Sequence, residues 1–166
     1  MMDDQQLSEH FGFFELTQTS HAELQDQNRS EGLLILPKLK DLAAFAETVR
    51  ATLRLPLVIH SGFRCHTLNS LLGSTDRSQH LLGEAIDFVP INMTLGDSFE
   101  AIKAAGKAGD LKFGQAIIES ASRDYGISQW IHISRGVPVR DAGRCGQVLT
   151  MSNGIYNLLD TIQGAV

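Results

Sequence analysis

One carboxylate sets the terms on which this chain can fold. Asp87 lies in Glu84-Ala85-Ile86-Asp87-Phe88-Val89, an apolar run closed by Pro90. Such a run reads as a strand, and in a strand Ala85, Asp87 and Val89 share one face. A carboxylate taken out of water is costly unless it is paired, hydrogen-bonded or bound to a metal. The fold must therefore bring some distant group to Asp87.

Two histidines are candidates for that encounter. His132 sits in Trp130-Ile131-His132-Ile133-Ser134. Alternation sends Ile131 and Ile133 toward a core and Trp130, His132 and Ser134 to the other side. A polar strand face is usually the solvent face, but a tryptophan on it argues for a cleft. His80 precedes Asp87 by an odd number of residues, so on one continuous strand the two would face opposite ways. A turn at Gly83 removes that obstacle and lets the segment carrying His80 fold back. Two imidazoles and a carboxylate suit zinc, and three protein ligands leave a fourth position for water. Spacing alone does not separate a metal site from scattered surface residues.

The remaining pattern is that of an α+β protein with a mostly antiparallel sheet and helices packed on one face. Residues 1–32 are polar around an apolar knot at Phe11, Phe13 and Phe14, and read as an N-terminal arm packed on a single domain of residues 33–166. Leu39, Leu42, Ala46, Val49 and Leu53 recur at helical spacing after Pro37, and Pro56 limits that helix. Leu57 to His60 reads as a strand broken at Gly62. A short helix about Leu68 to Leu72 ends at Gly73, and residues 74–83 read as a loop. Thr94 and Asp97 form a capping-box pattern that opens a helix running to about Gly109. Gln115 to Glu119 and Trp130 to Ser134 read as strands. Ile155, Leu158, Leu159 and Ile162 suit a last helix starting near Ser152 or Asn153.

Bulk properties close off some functions. A chain of 166 residues with net charge −5 has the size of one domain and no electrostatic basis for binding nucleic acid. No apolar run is long enough for membrane insertion. The start, Met-Met-Asp-Asp-Gln-Gln, lacks the basic and apolar regions of a signal peptide, so synthesis in the cytoplasm without such a leader is expected. Whether Cys65 and Cys145 pair, and the oligomeric state, stay open. His10, His21, His60 and His66 carry no usable pattern.

Ser61-Gly62-Phe63-Arg64, then Ser78-x-His80-x-x-Gly83-x-Ala85-x-Asp87, then Trp130-x-His132 closely resemble the M15 family of zinc D,D-peptidases. The likeness is closest to its phage and bacterial cell-wall peptidases and runs from about Phe14 to Ser134. This resemblance implies the fold shared by D-Ala-D-Ala peptidases and the Hedgehog signalling domain. It implies one zinc ion (Zn2+) per chain on His80, Asp87 and His132. It also implies a peptidoglycan stem peptide as substrate and partner, with the cell wall as the site of action. The expected synthesis without a signal peptide fits a phage lysis or tail-associated enzyme better than an ordinary exported bacterial one.

Arg64 matches the family's substrate-facing arginine, and a guanidinium can fork onto a carboxylate or polarise a carbonyl. Ser78 shapes its loop and Trp130 lines the cleft, both as candidate substrate contacts. Many family members carry a glutamate three residues before the last histidine as general base. Here that residue is Gln129, which cannot take a proton. Glu119 is expected to serve instead, against the reading of a solvent-face or salt-bridged glutamate. Gln115, Ile117 and Glu119 share one strand face, and the resemblance to the close subgroup implies a glutamine and a glutamate at matching places in this strand. Gln115 is expected to touch substrate or steady a ligand. Gln129 also raises a second reading, a zinc-holding wall-binding module without turnover. A structural domain with no metal is a third.

Overall fold

Thr94 caps its helix as the pattern requires. In the computed structural model, which describes residues 4–123, 126–136 and 145–163, the Asp97 amide donates to Thr94 Oγ1 at 3.0 Å and the Thr94 hydroxyl returns to Asp97 Oδ2 at 2.7 Å. The order of elements is α1 (Phe13–Leu16), a 3-10 turn (Ala22–Leu24), α2 (Gln25–Leu34), α3 (Leu36–Leu53), β1 (Leu57–Ser61) and α4 (His66–Leu71). A second 3-10 turn (Gln79–Leu82) follows, then β2 (Ala85–Pro90), α5 (Leu95–Ala108), β3 (Gln115–Arg123), β4 (Gly126–Ser134), β5 (Gln147–Ser152) and β6 (Ile155–Thr161). The strands form one six-stranded sheet in the order β1-β2-β4-β3-β5-β6.

Packing divides the chain into two compact units, residues 1–48 with 59–86 and residues 49–58 with 87–166. In the first unit, Leu39, Leu42, Ala43 and Ala46 of α3 are fully buried, which is the stripe that the helical spacing marks. The segment before Gly32 is more helical than its polar composition suggests. Helix α2 is mostly exposed and buries only Asn28 and Gly32, so apolar periodicity gives no signal for it. Phe11 and Phe13 are buried, and the Arg29 guanidinium lies 4.0 Å from the centre of the Phe14 ring.

A carboxylate fastens the start of the chain to α3. Glu47 Oε1 accepts from the Ser8 hydroxyl at 2.8 Å and the His10 amide at 2.7 Å, and its Oε2 meets the His10 ring at 2.9 Å. Partial burial pushes the Glu47 carboxyl up, but those hydrogen bonds and the His10 charge outweigh it and hold the group below its ordinary 4.5. A depressed folded pKa gives stability that is present above the ordinary value and lost as pH falls through the folded one. Glu47→Gln should therefore lower the stability at pH 7, by less than about 1 kcal/mol for so open a cluster. The gap to wild type should narrow in melts as pH falls below 4.5, and a gap that stays constant with pH would show that charge is not the cause.

In the second unit, β3 and β4 form an antiparallel hairpin from Ala116↔Ile133 to Arg123↔Gly126. It is longer than the alternation suggests because its outer arm is polar, with Ser120, Ser122, Ser128 and Gln129. Its core contains Phe99, Ile102, Leu111, Phe113, Ile131, Ile133 and Val148.

Three expectations need correction. The sheet is mixed rather than mostly antiparallel, because β5 runs parallel to β3 from Gln115↔Gln147 to Ser120↔Ser152. The cause is local: Gly114 N donates to Ser134 O at 2.7 Å and Gln147 N to Gly114 O at 3.1 Å. The end of β4 and the start of β5 thus flank the start of β3, so β5 begins where β3 begins and runs in its direction. The last helix is instead the hairpin β5–β6. Asn153 and Gly154 both have positive φ, 47° and 82°, the backbone of a two-residue turn that Asn-Gly favours. That turn decides over an apolar spacing compatible with either period. Finally, residues 79–82 of the expected loop form the 3-10 turn that carries His80. Among the described residues, no helix is long and apolar enough to cross a membrane.

Candidate metal centre

Strand β2 is buried along nearly its whole length, so Asp87 goes inside with Ile86 and Phe88. Its carboxylate is 5% exposed and meets a partner that is 7% exposed: Asp87 Oδ1 lies 2.9 Å from His132 Nδ1. The strand pattern around His132 resolves as expected, with Ile131 and Ile133 fully buried on the opposite side.

His80 is prepared separately. It lies in the 3-10 turn, which ends at Gly83 with φ 65°. The His80 ring is 3% exposed, and its Nδ1 lies 2.6 Å from the Gly62 carbonyl oxygen. A carbonyl can only accept, so Nδ1 carries the proton and Nε2 presents its lone pair. This is the arrangement that fixes the tautomer of a metal-ligating histidine. The Arg64 amide donates to His80 O at 3.1 Å, so ring and backbone are both held by the segment after β1. Gly62 has no room for a side chain: a Cβ there would overlap the carbonyl oxygen of Leu16.

His80, Asp87 and His132 form a group in which one ligand atom from each lies within 4.8 Å of the others, all three residues being buried. The donor chemistry fits a divalent metal of zinc type. One imidazole is tautomerically set, and the buried carboxylate faces the other at 2.9 Å.

The register places other candidates around His132. Ile117 is directly opposite His132, and Glu119 is opposite Trp130 on β4 and Met151 on β5. Directly paired residues project to one face, so Glu119, Trp130, His132 and Met151 share it. Glu119 is the diagonal neighbour of His132, with Cβ atoms roughly 7–8 Å apart in such pairs, within reach of a long carboxylate side chain through one water. Gln129 is opposite Ser120 and exposed. By pleat alternation it projects to the face away from His132.

The other sequence candidates are placed as follows. Arg64 is half-buried, and its Nε donates to Ser61 Oγ at 2.8 Å, which fixes the root of the guanidinium. Ser78 immediately precedes the 3-10 turn and supports it through backbone bonds, with its own amide donating to Thr75 O and its carbonyl accepting from Leu81. Gln115 Nε2 donates to Gln147 Oε1 at 2.8 Å. Trp130 is half-buried, and its Nε1–H is shielded from solvent with no hydrogen-bond partner. Ser134 is structural, its hydroxyl accepting from the Gln115 amide at 2.9 Å.

Sequence reasoning missed the support for His80. Gly62 reads only as a strand breaker, and Asn28, fully buried in α2, carries no signal at all. A buried asparagine in the middle of a polar helix looks like any exposed one.

Two buried imidazoles and a buried carboxylate, gathered within 4.8 Å, define a protein equipped to hold a metal. Residues 10–134 match the model of the family described as Peptidase M15, and the chain belongs to that family of peptidases. Its members generally depend on zinc, which agrees with the donor set. No curated protein matches the chain.

Proposed function

We propose that this chain is a zinc peptidase that hydrolyses a peptide bond in peptidoglycan stem peptides or cross-links, as a D,D-carboxypeptidase or an endopeptidase. The observation that carries the reading is the His80–Asp87–His132 group within a Peptidase M15 chain. The proposal extends to the fold shared by D-Ala-D-Ala peptidases and the Hedgehog domain. It takes residues 33–166 as the catalytic domain with the N-terminal arm laid on it, and the bacterial cell wall as the place of action, with phage-encoded lysis or entry as the setting.

His80, Asp87 and His132 would hold one zinc ion. When bound, zinc supplies Lewis acidity, polarising a carbonyl and making water acidic enough to attack at neutral pH. Glu119, on the face of His132, takes the proton of the attacking water and returns one to the leaving amine. Arg64, steadied by Ser61, offers its guanidinium to a peptide carboxylate or to the charge that develops on the scissile carbonyl. The exposed part of the Trp130 ring and the Gln115 amide are the groups on that face offered to substrate. Gln129 faces away from His132, so its presence does not favour a module without turnover.

The test is digestion of purified peptidoglycan with mass analysis of the fragments, alongside metal analysis of the dialysed protein. The expected result is one zinc per chain, release of new amines, loss of activity with a chelator and its return with zinc. Fragment masses identify the bond. Zinc-loaded protein that leaves peptidoglycan intact would sink the assignment.

A further inference from the structure

Asn28 satisfies its amide on three sides. Nδ2 donates to Thr17 O at 2.8 Å and Phe63 O at 3.1 Å, and Oδ1 accepts from the Cys65 amide at 2.7 Å. Two carbonyls meet the nitrogen and one N–H meets the oxygen, so only one orientation of the amide fits. The residue is fully buried. The bonds to Phe63 and Cys65 bracket Arg64, whose amide donates to His80 O at 3.1 Å. One residue before Phe63 stands the Gly62 carbonyl that holds the His80 ring at 2.6 Å. The Phe63 amide donates to Leu16 O at 2.8 Å, and the Thr17 hydroxyl donates to Phe13 O at 2.7 Å, so the anchor points on the arm are themselves tied.

We propose that Asn28 is a positioning residue for the metal: it clamps residues 63–65, and through them sets the Gly62 carbonyl and the Arg64 amide that orient His80. It touches neither metal nor substrate. The N-terminal arm is on this view part of the metal site's framework. A cheaper way to bury an α2 side chain would be an apolar residue. An amide with both ends bonded to the backbone on either side of Arg64 instead fixes the path of that segment. The inference rests on the reading that His80 ligates zinc.

Asn28→Asp keeps the shape and loses the donors, turning a carboxylate toward two carbonyl oxygens. Asn28→Ser removes the clamp with less disturbance. Zinc dissociation constants measured by competition with a chromophoric chelator should rise about 10–100-fold in both, the range for groups that orient a ligand. The visible absorption of the cobalt-substituted protein should change in intensity, because the ligand field at His80 changes. Ile102→Ala, a core truncation in α5, serves as the stability control and should leave zinc affinity within about twofold, since it removes no group that orients a ligand. Native zinc affinity and cobalt spectrum in a folded Asn28 variant would overturn the proposal while leaving the metal site standing. So would an equal loss in Ile102→Ala. Wild type that takes up no zinc would end both readings.

If neither Asn28 variant folds, hydrogen exchange on the wild type decides. Coupling is reciprocal, so zinc must strengthen the clamp as the clamp strengthens zinc binding. Zinc should then raise the protection of the Cys65 amide more than that of the Ile102 amide. An equal or smaller rise at Cys65 overturns the proposal.

Discussion

Asp87→Ala is expected to remove zinc-dependent stabilisation and peptidase activity together while leaving the metal-free protein folded. Asp87 and His132 face each other at 2.9 Å in a buried setting. A buried carboxylate costs several kcal/mol in desolvation unless its partners offset it. Removing it takes away that desolvation cost together with the contact to His132. His132→Ala is the opposite case, since it leaves the Asp87 carboxylate buried without that partner, which costs about 3–5 kcal/mol when a buried pair is broken in this way. The two variants should thus be alike with zinc and unlike without it. In melts of metal-free protein, His132→Ala should fall well below Asp87→Ala. On adding zinc, wild type should rise by about 4 kcal/mol at a thousandfold excess over the dissociation constant, and neither variant should respond. A zinc response preserved in Asp87→Ala would remove that residue from the ligand set.

The asymmetry shows why Asp87 was legible. A charged residue inside an apolar strand has few physical excuses, so Glu84 to Pro90 marked Asp87 as a residue that needs a partner. His132 was legible for a related reason, as strict alternation in Trp130 to Ser134 assigned it to a face that the structure confirms. His80 was less so. Its partner is a backbone carbonyl, Gly62 O, and backbone atoms leave no side-chain signature. Asn28 was illegible because its three bonds all run to backbone groups distant in sequence.

The fold divides the same way. Helix α3 and the capped helix α5 were readable because a buried stripe and a capping box are local properties. Helix α2 was not, because it buries a polar face. The β5–β6 hairpin was misread through its apolar residues, although its turn was in plain view. Ile155, Tyr156, Leu158 and Leu159 are all more than half exposed on β6, so their spacing reflects no buried face of a helix or of a strand. Asn153-Gly154 was the better evidence, since a demand for two positive φ values is met by few residue pairs. The parallel pairing of β5 with β3 joins residues more than thirty apart in sequence, such as Gln115 and Gln147, which no local pattern encodes.

Glu119→Gln should leave zinc binding intact and lower kcat by about 10²–10⁴-fold, the usual contribution of a positioned general base. The amide keeps the size and hydrogen-bonding reach of the carboxylate and loses only the ability to take a proton. KM should change little, because the water being activated is not part of the substrate. Gln129 provides the internal comparison. The family position three residues before the last histidine would make it the base, but its pairing with Ser120 sends it to the other face of the hairpin. Gln129→Ala should therefore keep kcat within about twofold, as surface changes away from a site commonly do. Gln129→Glu should not rescue Glu119→Gln, since a carboxylate at residue 129 would stand across the sheet from His132. Rescue would mean that β4 changes register in the working enzyme. Full activity in Glu119→Gln without rescue would move the base to another group. Either result would be read from initial rates on the same peptidoglycan fragments, with bound zinc measured in parallel so that lost metal is not mistaken for lost chemistry.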